Sequence, residues 1–269
     1  MVISDVQNTA WIDKSIYLTY PTRNFPDEIR RNIARIQKLN PDWAITIFSD
    51  EDIIEFIRRE CSKELLDAYL SINPEDGAAK ADLFRYLILY VRGGVYLDIK
   101  SSLNKSLGDI ITDPSKLILA QWDNGQDGPH KGWGLHKELV GIDGGEYIQW
   151  FIAAPRGSDI LGAVIDRVVH NIRRYNPFVH GVGKMGTLRV TGPIAYTLAI
   201  QPRLNAENHV LYRDYRNTGL VYSIYEESGS MGGHKDIFIK HYAKLQSPIT
   251  NHHKIFNTMW RWWPAKGLF

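Results

Sequence analysis

Four charged side chains stand out by type and spacing. Asp82 and Arg85 lie three residues apart in the run Ala78-Ala79-Lys80-Ala81-Asp82-Leu83-Phe84-Arg85-Tyr86, so on a helix they share a face. Most such pairs are solvated surface pairs. Here the neighbours are small or apolar (Ala78, Ala79, Ala81, Leu83, Phe84, Leu87, Ile88), and a charge pair on an apolar helix is costly enough to mark a site. Asp98 and Lys100 follow in Gly93-Gly94-Val95-Tyr96-Leu97-Asp98-Ile99-Lys100. In an extended chain Tyr96, Asp98 and Lys100 point one way, and Val95, Leu97 and Ile99 the other. A carboxylate and an ammonium would then meet at the C-terminal end of a strand, where open α/β sheets bind ligands. The plainer reading of Asp98 is a turn or cap residue. Spacing does not separate the two.

These residues need a scaffold, and the chain supplies a strand–helix rhythm. Residues 16–20 are β-branched and aromatic and stop at Pro21, which predicts a strand. Pro26-Asp27-Glu28 opens a helix whose apolar face is Ile29, Ile33, Ile36 and Leu39. A second strand is expected over 44–48, and Ser49 with Asp52 forms a capping-box pattern ahead of a second helix. Ser62 is placed to cap a third. The longest helix is predicted over 75–92, ended by Gly93-Gly94, with a strand at 95–99. Further strands are expected over 117–121 and 147–153, a helix over 158–175, a shorter helix after Thr191-Gly192-Pro193, and short strands at 210–212, 221–225 and 237–241. Alternation of this kind predicts an α/β domain on a mostly parallel sheet. No repeat or linker divides the chain, so residues 1–269 are read as a single domain.

Bulk properties narrow the function. The 269 residues carry a net charge of +2, too near neutral for a protein that lives on nucleic-acid phosphates. Eight Trp and 14 Tyr suit the binding of flat rings or sugars. Cys61 is the one cysteine, has no neighbouring His or Asn and reads as inert. The opening Met1-Val2-Ile3-Ser4-Asp5 lacks a secretory pattern, and no apolar run approaches the ~18 residues of a membrane span. The expectation is a soluble, cytoplasmic protein.

The stretch from Ala78 to Lys100 resembles the signature of the DXD-containing sugar transferases of glycosyltransferase family 32: Ala-x-x-(Ser/Ala)-Asp-x-x-Arg-Tyr, then Gly-Gly-x-Tyr-x-Asp-x-Asp. Residues 12–20, the Asn40-Pro41-Asp42-Trp43 and Ser49-Asp50-Glu51-Asp52 segments, and Thr191-Gly192-Pro193 are similar to further family motifs, in family order. The resemblance implies a GT-A-like nucleotide-sugar-binding fold with helices flanking a mostly parallel mixed sheet. It also implies retaining transfer from a UDP- or GDP-sugar to a carbohydrate or other hydroxyl acceptor. By resemblance Tyr20 stands where a Trp stacks on the base, with Thr19 beside it. Asp82 and Arg85 would hold the donor sugar and diphosphate side, next to Tyr96, and Asp98 would bind the ribose and reach the metal region.

One position departs from the pattern. The family's second acid, the usual Mn²⁺ or Mg²⁺ ligand, is Lys100 here. Three outcomes follow. Lys100 replaces the metal as counter-charge, which makes Asp98, Lys100 and Arg85 the catalytic set. Or other ligands restore a metal site at Asp98, with His253 of Asn251-His252-His253, or more weakly His241, as the late ligand. Or the protein is a degenerate nucleotide-sugar or carbohydrate binder. The loop Trp122 to His130, with acids, glycines and an aromatic ring, suits an acceptor site or an ordinary surface turn. The tail Trp260-Arg261-Trp262-Trp263 with Lys266 suits peripheral membrane contact or packing onto the domain.

Overall fold

Alternation in Ser15-Ile16-Tyr17-Leu18-Thr19 sends Tyr17 to one side of a sheet and Ile16 and Leu18 to the other, and these residues form the first strand, β1 (Ser15–Thr19). The protein is represented by a computed structural model that describes residues 11–225 and 247–251. After β1 come α1 (Asp27–Leu39), β2 (Ala44–Phe48), α2 (Asp50–Glu60), α3 (Lys63–Ser71), α4 (Gly77–Arg92) and β3 (Gly94–Leu97). The second half contributes β4 (Ser102–Leu103), α5 (Leu107–Ile110), β5 (Leu117–Ala120), β6 (Phe151–Ala154), α6 (Asp159–Arg173), α7 (Pro177–His180), α8 (Gly183–Val190), α9 (Pro193–Ile200), β7 (His209–Tyr212) and β8 (Leu220–Val221).

Six strands form one sheet in the order β2-β1-β3-β6-β5-β7. β1 runs parallel to β2 and β3, β5 runs parallel to β7, and β6 is antiparallel to both β3 and β5. This is the expected mostly parallel mixed sheet. One face packs under α2, α3, α4, α6 and α9 around Phe56, Leu83, Leu87, Val164 and Ile200. The other packs under α1 and α5 around Ile29, Ile36, Trp43 and Leu107. β4 and β8 pair separately.

Local chemistry sets the boundaries. Ser49 and Asp52 form the anticipated capping box, each side chain accepting from the other's backbone N–H, at 3.2 and 3.0 Å. Ser62 and Ser158 cap α3 and α6. Cys61 ends α2, where burial pushes its thiol up to about 12, so it is inert as a nucleophile. At the α4–β3 junction Gly93 and Gly94 have φ of +68° and +102°, and a Cβ on Gly94 would lie 2.7 Å from the Ser15 carbonyl oxygen. The chain can pass this close to β1 only without a side chain.

Several expectations need correction. The strand predicted to reach Ile99 stops at Leu97: Asp98 N–H still donates to the Trp150 carbonyl at 2.8 Å, but Ser101 N–H then turns back onto the Asp98 carbonyl at 2.8 Å and the chain enters a turn. The strand predicted from Tyr147 begins at Phe151, preceded by a bridge between Gln121 and Tyr147. The short helices α7 and α8 were not anticipated. Residues 237–241, His241, His252, His253 and the Trp260–Lys266 tail lie outside the described residues. No described helix is long and apolar enough to cross a membrane.

Replacing Gly94 by Ala is expected to cost about 2 kcal/mol and lower Tm by roughly 4–8 °C. Gly141 also has positive φ but stands in open space, and Gly141→Ala should cost about half as much. Equal effects in thermal melts would contradict the close-approach account.

Candidate active site

Asp76 starts α4 by accepting the Ala79 N–H at 3.0 Å, and its second oxygen accepts from Thr187 Oγ1 at 2.8 Å. Burial raises this carboxyl above its ordinary range. The same arrangement recurs further along α4. Asp82 Oδ1 accepts from Gln149 Nε2 at 2.6 Å, and Oδ2 from Thr191 Oγ1 at 2.9 Å. Tyr86 donates to the Thr191 carbonyl at 2.9 Å and stacks on Tyr196 with ring centroids 5.4 Å apart. Burial pushes the Asp82 carboxyl up to about 6, against the opposing pull of Arg85, Thr191 and Gln149.

Arg85 is buried as deeply as Asp82, each 5% exposed. Nη1 donates to the Gln149 carbonyl at 2.6 Å; Nη2 lies 3.3 Å from Asp82 Oδ1 and 3.4 Å from Asp98 Oδ1. The guanidinium sits 4.6 Å from the centre of the Tyr96 ring. Burial works against its charge, yet Tyr96, Asp98 and Asp82 outweigh it and the pKa is raised. A buried charge persists only with such a full set of partners.

β3 delivers Tyr96 and Asp98 to the end of the sheet. The Tyr96 hydroxyl lies 3.1 Å from Thr19 Oγ1 at the end of β1, and the Asp98 N–H donates to the Trp150 carbonyl at 2.8 Å. The turn that follows Asp98 brings Lys100 back, so that Nζ stands 3.8 Å from Asp98 Oδ2. Lys100 also donates to the Tyr222 hydroxyl at 3.3 Å and lies 4.5 Å from the centre of that ring. Burial opposes its charge, but Tyr222 and Asp98 overcome this and raise its pKa. Tyr222 is fixed in turn: its carbonyl accepts from Ser101 Oγ at 2.7 Å, and Ile224 N–H donates to the Lys100 carbonyl at 2.9 Å.

Six of the residues singled out from sequence thus form one chain of contacts, Thr19–Tyr96–Arg85–Asp98–Lys100, with Asp82 joined to Arg85. Tyr20 follows Thr19 directly and meets Phe25 edge to face at 5.4 Å. His253 is outside the described residues. Both oxygens of Asp98 face cations, and no group of three His, Cys, Asp or Glu stands together among the described residues. The donors among the described residues do not by themselves fit a divalent cation, which takes several oxygen ligands. Sequence reasoning missed Gln149, Trp150 and Tyr222 altogether. Thr191 was noticed only as part of Thr-Gly-Pro, with no role attached.

Residues 26–117 match a family described as "Glycosyltransferase sugar-binding region containing DXD motif". The mannosyl phosphorylinositol ceramide synthase SUR1 of Saccharomyces cerevisiae is 31% identical over 106 residues, 39% of this chain and 27% of that protein. Inositol phosphoceramide mannosyltransferase 3 of Schizosaccharomyces pombe is 32% identical over 109 residues, 40% of this chain and 29% of that protein. The chain therefore spans less than a third of either relative. Among solved structures, the PaToxG glycosyltransferase superposes with a TM-score of 0.53 at 17% identity, over 74% of this chain and 72% of the other. The UDP-bound glycosyltransferase domain of the YGT toxin gives 0.52 at 10% identity, over 83% of each. These two likenesses show the fold, which is that of GT-A glycosyltransferase domains. Residues 26–117 are thus similar to the DXD-motif sugar-binding region of glycosyltransferases, within a chain of GT-A fold.

Proposed function

We propose that this chain transfers a glycosyl group from a nucleoside-diphosphate sugar to an acceptor hydroxyl, with retention of configuration, and that Lys100 and Arg85 supply the positive charge a divalent cation commonly supplies. The observation that carries this reading is the pair of cations flanking Asp98, at 3.4 and 3.8 Å, at the C-terminal end of β3. The family of residues 26–117 and the names of the relatives support glycosyl transfer. The UDP held by the YGT toxin domain supports a nucleotide donor.

In the proposed step the bond from the sugar C1 to the diphosphate oxygen breaks, and its electron pair leaves with the diphosphate. The acceptor oxygen bonds to C1 on the same face, and its proton passes to the departing phosphate oxygen. Charge builds on the leaving group, so cations placed in advance lower the barrier. Lys100 spends one N–H on Tyr222 and pairs with Asp98, and its ammonium has three N–H groups. Tyr20 and Thr19 receive the nucleoside at the end of β1. Asp82 uses both oxygens on Gln149 and Thr191, and its role is to fix Arg85 and the Gln149 segment. The loop from Trp122 faces the acceptor side.

Thermal melts with UDP and GDP, in chelator and then in Mn²⁺, test the reading. One nucleotide should stabilise the protein in chelator, as ligand linkage requires. Lys100→Ala should then lower turnover of the matching nucleotide sugar by on the order of 10²-fold, and Lys100→Asp should make nucleotide binding depend on Mn²⁺. Stabilisation of the wild type only with metal present would contradict the role given to Lys100. Binding of the nucleotide sugar without transfer or hydrolysis would instead favour the non-catalytic binder, which the same substitution at Lys100 motivates.

The raised Asp82 pKa has a definite sign. The folded protein holds this proton up to about pH 6, the unfolded chain only to about 3.9. Folding therefore binds a proton in that window, and stability should fall as pH rises from about 4 to about 6 and then level. Ionised Asp82 also holds Arg85 more firmly, so turnover should rise over the upper part of the same window. Asp82→Asn should flatten the urea-measured stability slope and remove the acid limb near pH 6; an unchanged slope would contradict the assignment.

A further inference from the structure

The connection between β5 and β6 has more structure than a surface turn requires. Its residues 122–146 hold no strand and one short 3-10 turn, Lys137–Leu139. Loops of such length in a compact domain are usually functional or disordered, and this one is pinned. Asn124 Nδ2 donates to the carbonyls of Trp133 and Gly144 at 2.7 and 3.0 Å, Gln121 Nε2 to that of Asp143 at 2.8 Å, and Glu146 N–H to that of Gly134 at 3.0 Å. Gly134 has φ of +72°, and a Cβ there would lie 2.7 Å from Glu146 Cγ and 2.9 Å from Trp122 Cδ1. The two arms close on each other with no room for a side chain.

Inside this loop the aromatic rings form a continuous wall that begins at the transfer site. Trp122 lies at its middle, 5.0 Å from the Tyr222 ring, 5.6 Å from Tyr215, 5.0 Å from His130 and 5.2 Å from Trp133. Trp133 is 6.0 Å from Tyr222, the ring that carries the Lys100 ammonium on its other contact. Three rings meet Trp133 at steep, edge-to-face angles: Trp122 at 72°, Tyr222 at 86° and His130 at 64°. Trp133 nevertheless keeps 41% of its surface exposed. At its margin Glu146 accepts from Trp122 Nε1 at 2.7 Å through one oxygen and pairs with His136 Nε2 at 2.8 Å through the other. His136 is partly exposed.

We propose that the Trp133 face, bordered by His136 and Glu146, is the acceptor subsite, and that the acceptor presents a pyranose ring. A pyranose has an apolar C–H face that suits a partly exposed indole and a rim of hydroxyls that suits an imidazole–carboxylate pair. A sugar stacked there stands one ring away from Lys100, with Tyr222 shared by both sites. A purely apolar occupant would leave the His136–Glu146 margin unused. The inference rests on the glycosyl-transfer reading for its meaning, but the binding it asserts is measurable by itself.

The test is ligand-observed NMR on the full chain with saturating UDP or GDP, using methyl α-pyranosides of mannose, glucose and galactose as probes. At least one should bind with millimolar affinity. Trp133→Ala should weaken it by about ten-fold or more, and Trp133→Phe should stay within about three-fold. Both variants should keep the wild-type nucleotide-induced thermal shift, which shows that they are folded. No glycoside binding by wild type, or equal binding by Trp133→Ala, would overturn the proposal. So would Trp133-dependent binding to phosphatidylserine vesicles without glycoside binding, since exposed Leu135 and Val140 would then mark a lipid contact. If neither UDP nor GDP shifts the wild-type melt, the transferase reading fails, while the glycoside result still decides the subsite.

Discussion

A guanidinium buried at the end of a sheet is the constraint from which the site follows. Arg85 cannot remain charged at 5% exposure without partners on every side, and the fold provides them from four segments. α4 gives Asp82, β3 gives Tyr96 and Asp98, the approach to β6 gives the Gln149 carbonyl, and β1 steadies Tyr96 through Thr19. The parallel pairing of β1 and β3 holds their carboxyl ends side by side at this cation. Asp82 bears the cost: burial holds its carboxyl near 6, and Gln149 and Thr191 limit the penalty by occupying both oxygens.

The arrangement around Asp98 departs from the charge pattern of the DXD motif that this stretch resembles. Where a second acid normally stands, Lys100 leaves Asp98 between two cations. A carboxylate so placed can orient the ammonium and guanidinium toward an incoming anion, but it offers a metal little. Tyr222 completes the device. It accepts a hydrogen bond from Lys100, presents its ring to the charge, and leads into the Trp122 wall. One tyrosine from the second half of the chain therefore joins the charge site to the surface on which an acceptor is proposed to lie.

Much of this scaffold was legible in the sequence, and the remainder was not, for physical reasons. Helical spacing and capping pairs are local signals: Ser49 with Asp52, the apolar run of α4 and its Gly93-Gly94 end all appear where their residue types require. The internal charge pair Asp82–Arg85 could be expected because most of its neighbours on α4 are small or apolar. The partners of that pair were hidden because they are distant along the chain. Gln149 lies 64 residues from Arg85, Thr191 lies 109 from Asp82, and Tyr222 lies 122 from Lys100. The early end of β3 was also out of reach, since the turn that closes Ser101 N–H onto the Asp98 carbonyl contains no Gly or Pro to announce it. α7 and α8 carry too few apolar residues for a period to show.

Transfer without a metal requires a diphosphate seated directly on Lys100. A crystal structure grown with the stabilising nucleoside diphosphate in excess Mn²⁺ measures this. A β-phosphate oxygen should lie within hydrogen-bond distance of Lys100 Nζ, with Arg85 and Asp98 in their present contact. A Mn²⁺ ion bridging Asp98 to the phosphates, with Lys100 turned away, would contradict it.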